Sequence, residues 1–349
     1  MIWLTWRQFR VQAVVTAAIL AVFGVLLLVT GPSLGGVYRT SGFAACHSGC
    51  AQLAGNFLAQ IGVPHYHLVY LFGAVLIIVL PAIIGLFWGA PLLARELEAG
   101  TFRLAWNQSV TRERWLAVKL GVLGLASMAA AGLLSLILGW WASPIDRAAG
   151  LGSVGGYENR FFPVVFGTRG IAPLGYAAFA FVLGVLIGLL IRRTVPAMAV
   201  TLGLIAAVQI AFPLVVRPHL ITPVRHSITI TASAIQGMGV SGPGPDAQLR
   251  TVFAGTVNTP GAWVYSDATV TASGSPDLGT VPAACQNIGP NGSFQPCQQA
   301  LAARNFQQQL VYQPASRYWT FQALEFGIYL TVAIVLAWAS FWLLRRRLS

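Results

Sequence analysis

Six runs of this sequence are apolar and long enough, as helices of about 20 residues, to cross the ~30 Å hydrocarbon core of a bilayer. They fall at 11–30, 68–93, 120–143, 171–191, 196–216 and 321–344. In hydrocarbon every backbone N–H and C=O must find its partner within the chain, so runs of this kind fold as helices. Composition agrees: of 349 residues, 56% are hydrophobic and 9% charged, against about 25% charged in a soluble domain. The expected fold is an all-α polytopic membrane protein with six transmembrane helices. Arg7 and Arg10 precede the first run as they would in a signal peptide. That run is longer than a signal core and no Ala-x-Ala site follows, so it reads as a retained helix.

Basic residues set the expected orientation. With the N-terminus inside, 12 of the 21 basic residues fall on short inner pieces. Their density there is about fivefold that of the outer pieces, the positive-inside pattern, which puts both termini in the cytoplasm. Trp3, Trp6, Trp88 and Trp342 fall near the inner boundary, and Trp140, Trp141 and Trp319 near the outer one, where amphipathic rings prefer to sit. The expected organisation is 1–216 for an amphipathic N-terminal helix and five spans, 217–320 for an extracytoplasmic domain, and 321–349 for the sixth span and a basic tail. The stretch 217–320 is rich in Gly, Pro, Ser, Thr and Gln and contains "HSITITASA", which leans towards β structure. The other outer connections, 31–67 and 144–170, read as Gly-rich loops.

Cys46, Cys50, Cys285 and Cys297 all fall outside under this orientation. An even count on the oxidising side reads as disulfides, local pairing being the simplest of three connectivities. All five histidines fall outside too, and "CHSGC" followed by "HYH" can be drawn as a metal site. A disulfide-pinned loop with incidental histidines is the preferred reading, and no metal ligand is assigned.

Much chemistry is missing. No Gly-x-x-x-x-Gly-Lys-[Ser/Thr] phosphate loop occurs, and the single lysine, Lys119, is followed by leucine. No His-Glu-x-x-His is present. "GPSLG" matches a nucleophile elbow by letters but follows a membrane span, so it reads as a loop. A net charge of +12 would suggest nucleic acid in a soluble protein; here topology and membrane lipid account for it, and no nucleic-acid partner is expected. Within the spans Glu325 is the exceptional acidic residue, about one turn into the last.

The densest charged stretch, "LLARELEAGTFRLAWNQSVTRERWLAVKL", lies between spans two and three. Glu96 and Glu98 extend the end of span two, and Gly100 can stop the helix. Thr101 can cap a short helix carrying Phe102, Arg103, Leu104 and Trp106. Thr111 can cap the next helix, with Glu113 favouring its dipole. Such an element can dock on a cytosolic protein or lie on anionic lipid.

Six spans, the N-terminal "WLTWRQFR" and a Glu-x-Gly-Thr element after span two resemble the permease subunits of type 2 (ABC-2) ABC transporters. The stretch quoted above and "YQPASRYWTFQALEFGIYL" look especially like permeases common in actinobacteria. The resemblance covers 1–216 and 312–349. It implies a coupling helix, carried over to Glu96, Glu98, Gly100, Thr101, Phe102, Arg103, Leu104 and Trp106, that docks on a separate cytosolic ATPase. It implies an N-terminal interface helix through Trp3, Trp6, Arg7, Phe9 and Arg10 that also touches the ATPase. Two permeases, expected to be a homodimer, would work with two ATPase copies, which bind the ATP and Mg; the chain itself carries no cofactor and no ATPase site. Substrate would pass along spans two and five, near Pro81, Gln209 and Pro213, with Glu325 close by. The expectation is export of a small molecule, drug or lipid-like compound across the bacterial plasma membrane. The alternatives are a module that dislodges a cell-wall-active compound, and a metal- or haem-handling protein.

Overall fold

The computed structural model describes residues 2–98, 111–152, 156–242, 244, 246–254, 259–286 and 293–347. The chain divides into two units, Met1–Leu220 with Tyr318–Ser349, and Ile221–Arg317.

The first unit is helical. It contains α1 (Ile2–Thr40), α2 (Ala51–Ile61), α3 (Pro64–Ile83), α4 (Ala90–Glu98), α5 (Arg112–Ala149), α6 (Pro163–Phe166), α7 (Ala172–Ile191) and α8 (Thr194–Ala211). Among the described residues six stretches are long and apolar enough to cross a membrane: Phe9–Thr40, Pro64–Glu98, Glu113–Ala149, Ala172–Ile191, Thr194–His219 and Ala315–Arg346. The second of these joins α3 to α4 through a π-helical segment, Ile84–Gly89, just after Pro81. The fifth ends in another, Phe212–Val216, which contains Pro213.

α7 is the centre of this unit. Of its apolar window 72% is buried, against 11% for the first span and 17% for the fifth. Those two spans present long rows of exposed Val, Leu and Ile. α7 can sit so deep because glycines let backbones touch. Gly184 and Gly188 face Gly85, Gly89 and Ala90. A Cβ added to Gly184 would fall on the Gly85 carbonyl oxygen, and one on Gly188 would fall on that of Ala90. Two Gly-x-x-x-Gly pairs thus pack face to face, the usual device where no hydrophobic effect drives helices together.

Two expected loops are helical. Residues 31–40, including "GPSLG", continue α1 through Pro32. Packing overrides their composition: Leu34 is buried, Tyr38 stands edge-on to Phe43 and Phe57, and the Trp141 indole donates to Thr30 Oγ1 at 3.0 Å. Residues 144–149 likewise continue α5 through Pro144, with Ile145, Ala148 and Ala149 buried. The amphipathic N-terminus is continuous with the first span and is not a separate element. The Thr111 cap forms as expected, its Oγ1 accepting from Arg114 N at 3.3 Å.

The second unit contains β1 (Val224–Thr229), β2 (Ile235–Ser241), β3 (Gln248–Ala254), β4 (Trp263–Val270), α9 (Ala283–Gln286), α10 (Gln295–Ala302) and β5 (Gln307–Gln313). Strands β1, β5 and β4 form an antiparallel sheet in that order, and β2 pairs with β3. A small core of Ile230, Ile235, Leu249, Val252, Leu301 and Phe306 includes a Cys285–Cys297 disulfide joining α9 to α10. The last helix, α11 (Tyr318–Arg347), returns to the membrane unit. In that unit Cys46 and Cys50 form the second disulfide, at the bend leading into α2, where no regular helix has to be distorted.

Candidate functional site

Two polar clusters stand out in the membrane unit, one at each end of the helices. The first gathers where α8 ends and α11 begins. Arg217 Nε donates to Glu325 Oε2 at 2.8 Å and Nη2 to Oε1 at 2.9 Å, a two-pronged pair with both side chains 1% exposed. Tyr176 donates its hydroxyl to the same carboxylate, and the guanidinium lies 4.0 Å from the centre of the Phe166 ring. A buried carboxylate is tolerable only with such partners. Beside the pair is a cavity of about 140 Å³, lined by Ile78 of α3, Tyr176 of α7, Gln209 and Pro213 of the fifth span, and Tyr329 of α11. Gln209 Nε2 donates to the Ile78 carbonyl at 3.2 Å, tying span five to span two.

Neighbouring polar groups brace this end. Gln322 Oε1 accepts from Ile171 N and Ala172 N, closing the start of α7, and its amide donates to Phe166 O. Arg169 Nε donates to Asp146 Oδ2 at 3.0 Å. Burial, the largest single influence, lowers the Arg169 pKa; Asp146 through charge and hydrogen bond, with Tyr70 and Tyr318, together outweigh it and hold the guanidinium above its ordinary value. Tyr157, which donates to Ile61 O, is pushed up to about 12 by burial.

The second cluster is at the opposite end of the same helices. Lys119 is 2% exposed; its Nζ lies 2.6 Å from Glu96 Oε1 and 4.4 Å from the centre of the Trp115 ring. Two residues on, Glu98 Oε2 accepts from both Thr194 N, at 3.0 Å, and Thr194 Oγ1, at 2.7 Å. A carboxylate from the end of α4 thereby caps the first turn of α8, where free N–H groups and the helix dipole favour negative charge. The turn before α8 is tight, with Arg192 at φ 58°.

The residues singled out in the sequence distribute as follows. Gln209, Pro213 and Glu325 come together at one cavity, whereas Pro81 is buried in α3, away from its lining. Glu96 and Glu98 are engaged by Lys119 and Thr194. Phe9 is buried edge-on against Trp88, with ring centres 4.6 Å apart, and Arg10 is exposed. Gly100, Thr101, Phe102, Arg103, Leu104 and Trp106 lie outside the described residues, as do the side chains of Trp3, Trp6 and Arg7. Sequence reasoning missed Arg217 as the partner of Glu325. The available signal was that a lone acid within a span needs a cation. All four cysteines are consumed by disulfides. Among the described residues no group of three or more His, Cys, Asp or Glu is placed to hold a metal.

Compared with known proteins, residues 17–217 match the family described as ABC-2 membrane transporter related. No curated protein and no solved structure matches the chain.

Proposed function

The chain belongs to the ABC-2 membrane transporter related family, and from that premise we propose that it is the permease subunit of an exporter driven by a separate ATPase. The chain is a multi-pass protein of the bacterial plasma membrane and a membrane component of a transporter. The observation that carries the proposal is the family match, which runs through the first five spans and ends on Arg217.

In this reading the end that holds Glu96 and Glu98 faces the cytoplasm, in keeping with its basic flanks. The element from Glu96 to Trp106 docks on the ATPase, and Phe102 and Trp106 serve as its aromatic anchors. Two ATPase copies bind the ATP and Mg and work on a homodimer of permeases. The Glu98–Thr194 cap supports a coupling role, because it connects the base of the docking segment directly to span five. Movement of that segment then pulls on span five, whose far end carries Gln209, Pro213 and Arg217. Spans two and five form the substrate route.

Co-expression with the genes that neighbour its own, followed by affinity capture in mild detergent, tests the class. The expected result is a stoichiometric ATPase and ATP-dependent accumulation of substrate in inside-out vesicles; absence of any captured ATPase overturns it. A second reading rests on the separate β-rich unit at Ile221–Arg317. There, ATP is spent dislodging a cell-wall-active compound without moving it, and the same vesicles would bind ATPase yet accumulate nothing.

A further inference from the structure

The two disulfides differ in what surrounds their sulfurs. Cys285 is 5% exposed and Cys297 0%, and both belong to the hydrophobic core of the second unit. A thiol in solution reaches that bond only after the unit opens. Cys46 and Cys50 are each half-buried, and the residues beside them, Ala44, Ala45, His47, Ser48 and Gly49, are all exposed. Cys50 packs against the core of the membrane unit and is the N-cap residue of α2, whereas Cys46 lies in extended backbone after the turn Phe43–Ala45. The bend has support besides the bond. Phe43 and Phe57 stack with ring centres 6.2 Å apart, Tyr38 stands edge-on to both, and Phe57 and Leu58 are 0% exposed. The bridged cysteines are 4 residues apart, against 12 for the other pair, so this bond closes the smaller loop and constrains the unfolded chain less.

We propose that Cys46–Cys50 is a thiol-exchange site, opened by a dithiol reductant while the protein stays folded, and that Cys285–Cys297 is a fixed structural bond. Exchange is governed by access to the attacked sulfur and by the ease with which the other leaves as thiolate. Cys46, between exposed neighbours, is the attacked sulfur. Cys50 is the leaving one, because the free N–H groups and dipole at the start of the 11-residue helix α2 favour negative charge there. A thiolate of the reductant bonds to Cys46 Sγ as the Cys46–Cys50 bond breaks, and the electron pair departs on Cys50 Sγ. The second thiolate of the reductant then attacks its own sulfur in the mixed disulfide and releases Cys46. The cysteine pair gains two electrons, the dithiol is oxidised to a disulfide, and its two protons pass through water to the released sulfurs. The same steps in reverse, with an oxidised partner, reclose the bond. Opening loosens the joint between α1 and α2 and leaves the aromatic contacts that hold it. The site does not rest on the permease reading.

The test uses the full chain in nanodiscs, treated with millimolar dithiothreitol without denaturant, alkylated at timed intervals and mapped by mass spectrometry. Cys46 and Cys50 should become alkylated together at least about tenfold faster than Cys285 and Cys297, because access to the attacked sulfur sets the rate. Reduced glutathione has no second thiol to complete the exchange, so acid quenching should trap a mixed disulfide. The adduct should sit on Cys46, with Cys50 free. After the reductant is removed, oxidised glutathione should restore the bond. Cys46→Ser/Cys50→Ser should still give folded protein whose thermal aggregation temperature is close to that of the unmodified chain. Equal rates for the two pairs, no reduction of Cys46–Cys50 before denaturation, or a glutathione adduct mainly on Cys50 would each overturn the proposal. So would a bond that does not reclose, or loss of folded protein in the double serine variant.

Discussion

The two ends of the membrane unit hold their charges in opposite ways. Around Arg217 and Glu325 the pair is sealed, with each side chain 1% exposed and a tyrosine hydroxyl added to the carboxylate. Around α4 the carboxylates keep contact with water: Glu96 is 18% exposed beside a buried Lys119, and Glu98 is exposed while capping α8. A sealed pair is costly to open, because each partner would be left charged in an apolar wall. A fully exposed carboxylate such as Glu98 exchanges partners at little cost. The first arrangement suits a fixed wall beside a cavity, and the second suits a contact that is remade as a partner protein moves.

The largest expected effect breaks the sealed end. Arg217→Met alone should destabilise the membrane unit by about 3–5 kcal/mol, because Glu325 stays buried and unpaired. Arg217→Met/Glu325→Gln should recover most of that loss. Thermal aggregation followed by size-exclusion fluorescence in detergent reads both; a single variant as stable as the double would mean that water reaches the pair. Next comes the glycine seam between the two ends. Gly184→Leu drives a side chain into the backbone at Gly85 and should cost at least about 1–3 kcal/mol by overpacking, read in the same assay. Smaller again, Glu98→Ala removes the exposed carboxylate that caps the first turn of α8. Its melting point should fall little while ATP-driven transport falls strongly. Equal, small losses of both would reduce the Glu98–Thr194 contact to a local structural detail.

The six spans were legible because hydrocarbon demands long apolar runs, and the Thr111 cap because its chemistry is local. Two features failed for the same physical reason. Residues 31–40 and 144–149 carry Gly and Pro that read as loops, yet Tyr38 against Phe57 and the Trp141–Thr30 hydrogen bond hold the first stretch helical. Tertiary contacts of this kind leave no periodic mark in the chain. Arg217 and Glu325 were each visible as letters, but they are 108 residues apart, and only the fold brings them together. The facing Gly-x-x-x-Gly pairs, at Gly85 with Gly89 and Gly184 with Gly188, were readable in principle; what the sequence could not reveal was that they face each other. Of the candidate site, Gln209, Pro213 and Glu325 proved neighbours, while Pro81 did not join them.

The contrast between the two ends is tested most directly by ATPase capture from cells expressing three forms of the chain together with the genes that neighbour its own. Phe102→Ala/Trp106→Ala truncates the proposed anchors and should weaken capture by at least tenfold, each anchor being worth about 2 kcal/mol. Arg217→Met/Glu325→Gln alters only the sealed end and should capture ATPase as the unmodified chain does. Undiminished capture by the first variant, together with loss of capture by the second, would contradict the assignment of the α4 end to the ATPase.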